Sequence, residues 1–275
     1  MDARIVALVT NIPGPIAAAR LAQMSSHVVK IEPERGDPLA SASPRWYEDL
    51  TRNVRVVRAD LKSESGRAQL HDFLVRADLL ITAMRASALT RAGLAWNALH
   101  ARYPDLCHVA IVGHAAPGDD RAGHDLTYQA QAGLLVPPAM PRTAIADLFA
   151  AERAVSESLA ALYERDRTGI ASRREVAIAD GAVALADPVR YGLTGEDAPL
   201  SGALPTYALY RASDGWIALA ALEAHFRARL CEALRVETLD RASLNARFAE
   251  HPRAYWDRLA AEYDLPLTSV ATLCR

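Results

Sequence analysis

The chain is poor in lysine, cysteine and aromatic residues: two lysines (Lys30 and Lys62), three cysteines and 6% aromatics in 275 residues. Cys107, Cys231 and Cys274 lie far apart and match no C-x-x-C or Cys/His ligand spacing, so neither a disulfide framework nor a zinc site is supported. Basic excess is missing too, with 31 basic side chains against 33 acidic ones and a formal charge of −2, which excludes a general nucleic-acid binder. The apolar run that ends at Val9 is too short for a signal peptide or a membrane span, and charge returns throughout. The expectation is a soluble, cytoplasmic protein with no nucleic-acid or membrane partner. No G-x-G-x-x-G, G-x-x-x-x-G-K-[ST] or G-x-S-x-G string occurs. That disfavours dinucleotide binding, P-loop chemistry and an α/β-hydrolase elbow.

What is present reads as folded. Hydrophobic residues make up 51% and charged ones 23%, with alanine at about one residue in five. The length suits one large domain or two modest ones. Short β-branched runs alternate with amphipathic stretches. Strands are predicted at 4–10, 27–32, near 54–58, 78–82, 106–112 and 174–179, and helices at 16–26, 64–76, 95–102 and 144–167. Asn11-Ile12-Pro13-Gly14-Pro15 reads as a turn, because two prolines around a glycine propagate neither ladder. Strands separated by helices predict an α/β fold, a doubly wound, Rossmann-like parallel sheet. This large domain is assigned to 1–190 and a linker rich in Gly, Pro and Asp to 191–205. A smaller α+β domain, 206–275, holds a hairpin (206–211 and 216–220) and helices at 223–234, 242–249 and 252–263.

Three acid/base candidates stand out. His124, in Arg121-Ala122-Gly123-His124-Asp125-Leu126-Thr127-Tyr128, is either a general acid/base over a sheet edge or, with Asp125, a residue satisfying backbone donors at a helix start. Asp147, in the apolar first turn of the long helix, is either a desolvated nucleophile or proton shuttle, or an acid stabilised by the positive helix end. Glu223 sits where a hairpin strand meets a helix, a common place for an acid. Arginines 52, 55, 58, 85 and 91 offer planar forks suited to phosphates, or are ordinary solvated side chains.

Taken together, the strings resemble one family, the family III CoA-transferases and α-methylacyl-CoA racemases (CaiB/BaiF-like). The resemblance runs in order through most of the chain. It begins at Pro13-Gly14-Pro15, Val28-Val29-Lys30-Ile31-Glu32-Pro33 and Gly36-Asp37-Pro38. It continues through Asp60-Leu61-Lys62-Ser63 with Gly66-Arg67, Ala77-Asp78-Leu79-Leu80, Arg85 and Gly123-His124-Asp125. Ala146-Asp147, Asp180-Gly181, Asp214-Gly215 and Ala221-Leu222-Glu223 complete it.

The resemblance implies coenzyme A thioesters as substrates, with no metal and no nicotinamide, flavin or other tightly bound cofactor. It implies an interlocked homodimer. It places a transferase nucleophile at Asp147, or a racemase pair at Asp147 and His124 with Glu223 in support, and on family position Arg52, Arg55 and Arg85 are the candidates for the coenzyme phosphates. The Gly-His-Asp string together with Glu223 tilts the reading toward the racemase branch, exchanging the α-proton of a 2-methylacyl-CoA. CoA transfer to a carboxylate is the alternative, and a non-catalytic thioester-binding relic or subunit the second alternative. Departures from the pattern motivate that last class. Leu148-Phe149-Ala150 stands where glycines usually follow the aspartate, crowding the thioester's approach. Met24-Ser25-Ser26-His27 and Thr51-Arg52-Asn53-Val54-Arg55 are altered strings, and the chain is expected to stop earlier than its relatives.

Overall fold

The structure is a computed structural model that describes residues 2–25, 27–118 and 120–272; Ser26 and Cys274, named above, lie outside the described residues. The chain divides into two compact units, Met1–Ala186 and Asp187–Arg275.

In the first unit the elements run β1 (Arg4–Leu8), α1 (Pro13–Ala22), β2 (His27–Glu32), α2 (Pro38–Ala42), α3 (Pro44–Thr51), β3 (Arg55–Arg58), α4 (Glu64–Leu74) and β4 (Leu79–Thr82). There follow α5 (Ala86–Arg91), α6 (Trp96–Arg102), β5 (Cys107–Val112), α7 (Asp125–Ala132), α8 (Ile145–Thr168), β6 (Arg173–Ala177) and α9 (Ile178–Leu185). The strands form a parallel six-stranded sheet in the order β3-β2-β1-β4-β5-β6. Order reverses between β1 and β4, the switch point at which doubly wound sheets bind ligands.

Central strands are mostly apolar because both sheet faces are covered, with Thr82 and His108 the buried polar exceptions in β4 and β5. Ile5, Ala7 and Val9 of β1 and its exit join one core, with Leu79, Ile81, Val109 and the alanines of α1 and α8. Val6 and Leu8 enter the other, with Leu70, Leu74, Leu89 and Leu99 from α4, α5 and α6.

The Pro13-Gly14-Pro15 segment is not a turn; it is the first turn of α1. The opening backbone N–H groups of a helix lack intrahelical partners, so proline costs nothing there. The reversal is made one step earlier by Asn11, with φ of 68°. Gly14 is required by a close approach, since a Cβ there would lie 2.3 Å from the Val9 Cβ. Ser25, from one of the altered strings, is a structural replacement whose hydroxyl donates to the Ala3 carbonyl at 2.6 Å and accepts from the His27 amide.

The second unit begins with α10 (Asp187–Arg190), which the sequence reading had placed in the large domain, and includes a short 3-10 turn at Pro199–Ser201 within the expected linker. Its strands β7 (Tyr207–Ala212) and β8 (Gly215–Ala220) form the hairpin, and after α11 (Ala224–Leu234), α12 (Arg241–Ala249) and α13 (Arg253–Tyr263) comes β9 (Leu267–Ser269). The antiparallel order is β7-β8-β9. Tyr210, Phe248 and Trp256 fill its core, with the Tyr210 hydroxyl donating to the Pro205 carbonyl at 2.5 Å. No helix among the described residues is long and apolar enough to cross a membrane.

Candidate active site

In a parallel sheet every strand-to-helix loop leaves from the same edge, so loops after β1, β4, β5 and β6 converge. They enclose a cavity of about 270 Å³ at the switch point, lined among others by Asn11, Met84, Arg85, His124, Tyr128 and Asp147. A neighbouring cavity of about 540 Å³ shares Thr10 and Met84 with it and carries the cations Lys62, Arg67 and Arg91.

Asp147 is the third residue of α8 and is 8% exposed. Stabilising the amino end of this helix falls to another residue. Asp125, reaching over from α7, accepts from the Ala146 and Asp147 amides at 2.9 and 3.1 Å through one carboxylate oxygen. Its other oxygen accepts from the Gln129 side chain at 2.6 Å. The Asp147 carboxylate is thereby left without a hydrogen-bond donor among the described residues. Burial first, and the negative charge of Asp125 second, push its carboxyl up to about 7. A desolvated, unpaired carboxylate aimed into a cavity is poised to attack an electrophilic carbon or to carry a proton.

His124 is the N-cap residue of α7 and exposed. Thr127 caps the turn in its place, its hydroxyl accepting from the His124 amide at 3.0 Å and donating to the His124 carbonyl at 2.8 Å. The imidazole lines the same cavity as Asp147.

The loop after β1 is held from beneath by a buried ionic cluster. Lys30 donates to Glu32 at 2.6 Å and Asp37 at 2.5 Å, all three side chains being about fully buried. Asp37 in turn accepts from the Asn11 and Leu39 amides at 3.0 and 2.9 Å. Tyr47 donates to Glu32 at 2.8 Å, and burial with that neighbouring carboxylate pushes its phenol up. The rare lysines therefore both sit at this edge: Lys30 supports the cavity's rim and Lys62 lines the adjoining space.

The remaining sequence candidates fall elsewhere. Arg85 lines the cavity. Arg52 ends α3, where it is exposed and pairs with Asp49. Arg55 opens β3 and so stands at the amino edge of the sheet, its guanidinium over the Phe73 ring at 5.5 Å and facing a different cavity. A strand's first and last residues emerge on opposite edges, a distinction that residue type does not carry. Glu223 belongs to the second unit, as the exposed N-cap residue of α11, with no side-chain hydrogen bond to the helix end. Sequence reasoning passed over Tyr128, Lys62 and Arg67; the spacing of Tyr128 four residues after His124, one helical turn on, was the available signal.

The feared crowding after Asp147 is relieved locally. Phe149 is directed at Gly181 of α9, where a Cβ would lie 2.9 Å from its ring, and neither Leu148 nor Phe149 lines the cavity.

Fold and site thus define a doubly wound α/β protein with an unpaired, desolvated carboxylate at its switch point. The model of the CoA-transferase family III matches residues 1–274, and the chain belongs to that family. It is 28% identical to succinyl-CoA–D-citramalate CoA-transferase of Chloroflexus aurantiacus, over 98% of this chain and 73% of that protein. It is 29% identical to (R)-2-hydroxy-4-methylpentanoate CoA-transferase of Clostridioides difficile, over 80% of this chain but only 62% of the relative's length. Among solved structures, a hypothetical protein of Mycobacterium tuberculosis superposes with a TM-score of 0.84 at 22% identity, covering 99% of this chain and 84% of that one. A CaiB/BaiF family protein of Brucella suis gives 0.81 at 24%, covering 98% and 83%. These two share the fold.

Proposed function

We propose that the chain moves coenzyme A from an acyl-CoA thioester to a free carboxylate, with Asp147 as the nucleophile. The observation that carries this reading is the unpaired Asp147 carboxylate facing a cavity at the carboxyl edge of the sheet. The names of these two relatives, both CoA-transferases, move the weight from α-proton exchange to transfer.

In this mechanism a carboxylate oxygen of Asp147 attacks the thioester carbonyl. The C–S bond breaks, CoA leaves as thiolate, and a mixed acyl-aspartyl anhydride remains. The thiolate then attacks the aspartyl carbonyl, releasing the donor carboxylate and leaving an aspartyl-CoA thioester. An acceptor carboxylate repeats the two steps in reverse and restores Asp147. No proton is moved, so the nucleophile needs only to be ionised and poorly hydrated.

The larger adjoining cavity, with Lys62, Arg67 and Arg91, suits the nucleotide phosphates of the coenzyme better than Arg52 and Arg55 do. Arg85 lines the same cavity without pairing with Asp147 among the described residues, and suits a substrate carboxylate. No metal or resident cofactor enters the scheme, and a cytoplasmic homodimer is proposed with it.

The second reading, α-proton exchange on a 2-methylacyl-CoA, is favoured by one observation: His124 and Asp147 line one cavity, as two bases flanking a carbon would. Glu223 is enlisted there to support His124. One experiment separates the two. Transfer gives an aspartyl adduct at residue 147 that hydroxylamine traps, no deuterium uptake at the α-carbon in deuterated water, and tolerance of His124→Ala. Exchange gives deuterium uptake that His124→Ala abolishes. A protein that binds CoA yet does neither across a broad thioester panel overturns both.

A further inference from the structure

We propose that Tyr128 is a catalytic residue whose hydroxyl donates a hydrogen bond to the carbonyl oxygen of the bound thioester. The proposal rests on reading this cavity as the acyl-thioester site, and it holds for transfer and α-proton exchange alike. Both reactions build negative charge on that oxygen, as a tetrahedral oxyanion or as an enolate.

Tyr128 stands one turn beyond His124 on α7 and is 3% exposed, yet its side chain lines the cavity beside Asp147. Among the described residues its hydroxyl has no hydrogen-bond partner. The hydroxyl therefore opens into the cavity rather than onto protein, and phenylalanine would fill the same space without presenting a donor there. The backbone makes room for this oxygen from two sides. A Cβ at Gly113, after β5, would lie 2.3 Å from it, and one at Gly123, before α7, would lie 2.5 Å from it. His114 packs edge-on against the ring at 5.4 Å and holds its plane. Two glycines and an aromatic neighbour therefore position a hydroxyl that no described protein group uses.

The electrostatics suit a donor. Burial, with the Asp147 charge adding to it and Arg85 opposing, pushes the phenol up, so the proton stays on at neutral pH. A neutral donor next to Asp147 also avoids a cost that a cation would bring. An ammonium or guanidinium there would form an ion pair with the carboxylate and blunt its nucleophilicity, whereas a phenol stabilises the oxyanion without doing so.

The test uses Tyr128→Phe and two unreactive coenzyme A thioethers, S-(2-oxopropyl)-CoA, which presents a ketone oxygen, and S-propyl-CoA, which lacks it. Calorimetry should show about tenfold weaker binding of the ketone to the variant and unchanged binding of the propyl compound, at an unchanged melting temperature. With a reactive thioester, kcat should fall about 100-fold with little change in KM. If the variant binds both thioethers as the parent does, or loses both equally, the Tyr128 assignment is overturned and the acyl-CoA reading survives. If the parent binds neither, the reading of the cavity is itself wrong and the assignment falls with it.

Discussion

The two edges of the parallel sheet carry cavities of opposite character. The amino edge has the larger one, about 870 Å³, ringed by Arg4, Arg55, Arg76, His27 and His71. The carboxyl edge has a cavity of about 270 Å³ holding one desolvated carboxylate and one unpartnered phenol. Size and cationic lining favour the first; chemistry favours the second. Chain direction explains the difference. At the carboxyl edge the strands end in loops that lead into helix amino ends, where backbone N–H groups remain free to organise side chains such as Asp125. At the amino edge helices finish and strands begin, and exposed arginines there meet mostly water.

The strongest way to break the contrast is Asp147→Ala. Thioester transfer should fall by about 10⁴-fold or more in a coupled assay, because no other carboxylate among the described residues lines this cavity to take over the covalent step. Residual activity within tenfold of the parent would remove Asp147 from the mechanism.

The pH dependence sharpens it next. An attacking carboxylate must be ionised, so transfer should lose about tenfold per pH unit below 7 and level off above it, following the Asp147 carboxyl at about 7. A bell-shaped profile would favour the exchange reading, which needs one base and one acid together.

Stability should change in the opposite sense. The folded protein holds the Asp147 proton to about 7, above the ordinary carboxyl value of 3.8, so this residue's contribution is fully present below about 4 and is lost as pH rises through 7. Asp147→Asn, which never ionises, should therefore become relatively more stable over that window, by on the order of 2–4 kcal/mol at pH 8 in urea titrations. Equal stability differences at pH 4 and pH 8 would show that ionising this carboxylate costs nothing.

A smaller effect is expected at Asp125→Asn. Losing the neighbouring charge should move the midpoint of the activity profile to lower pH, since Asp125 contributes to the raised Asp147 value. An unmoved midpoint would leave burial as the whole cause. The smallest effect belongs to the other edge: Arg55→Ala should alter kcat and KM less than about twofold, in keeping with the usual range for surface changes away from a site. A large rise in KM for CoA would restore the amino edge as a coenzyme site.

Much of this architecture was legible in the residues. Ile5 to Val9 and Leu79 to Ile81 are unbroken apolar runs, and Cys107 to Val112 is interrupted only by His108, because they lie in a sheet covered on both faces, and burial of that kind writes itself into composition. The long helix was legible from its alanines and from Gly169, which closes it in the left-handed conformation. Short helices such as α2, α3 and α5 were not, because a few residues show too little periodicity to separate a helix from a loop. The three-residue β9 is likewise defined only by its pairing with β8.

The chain order of Gly-His-Asp and Ala-Asp singled out His124 and Asp147 as candidates, and both line one cavity. What each neighbour does there could not be read in the same way. Asp125 serves a helix that starts 20 residues later, Lys30 acts through Asp37 on a loop that precedes it, and Arg55 and Arg85 part to opposite edges of one sheet. Local pattern determined which segments are strands and which residues can bear the chemistry, since period, propensity and functional groups are properties of neighbours along the chain. Only tertiary structure decided which carboxylate is capped, which is left bare and which hydroxyl has no partner, because desolvation and hydrogen bonding depend on what the fold brings near from a distance.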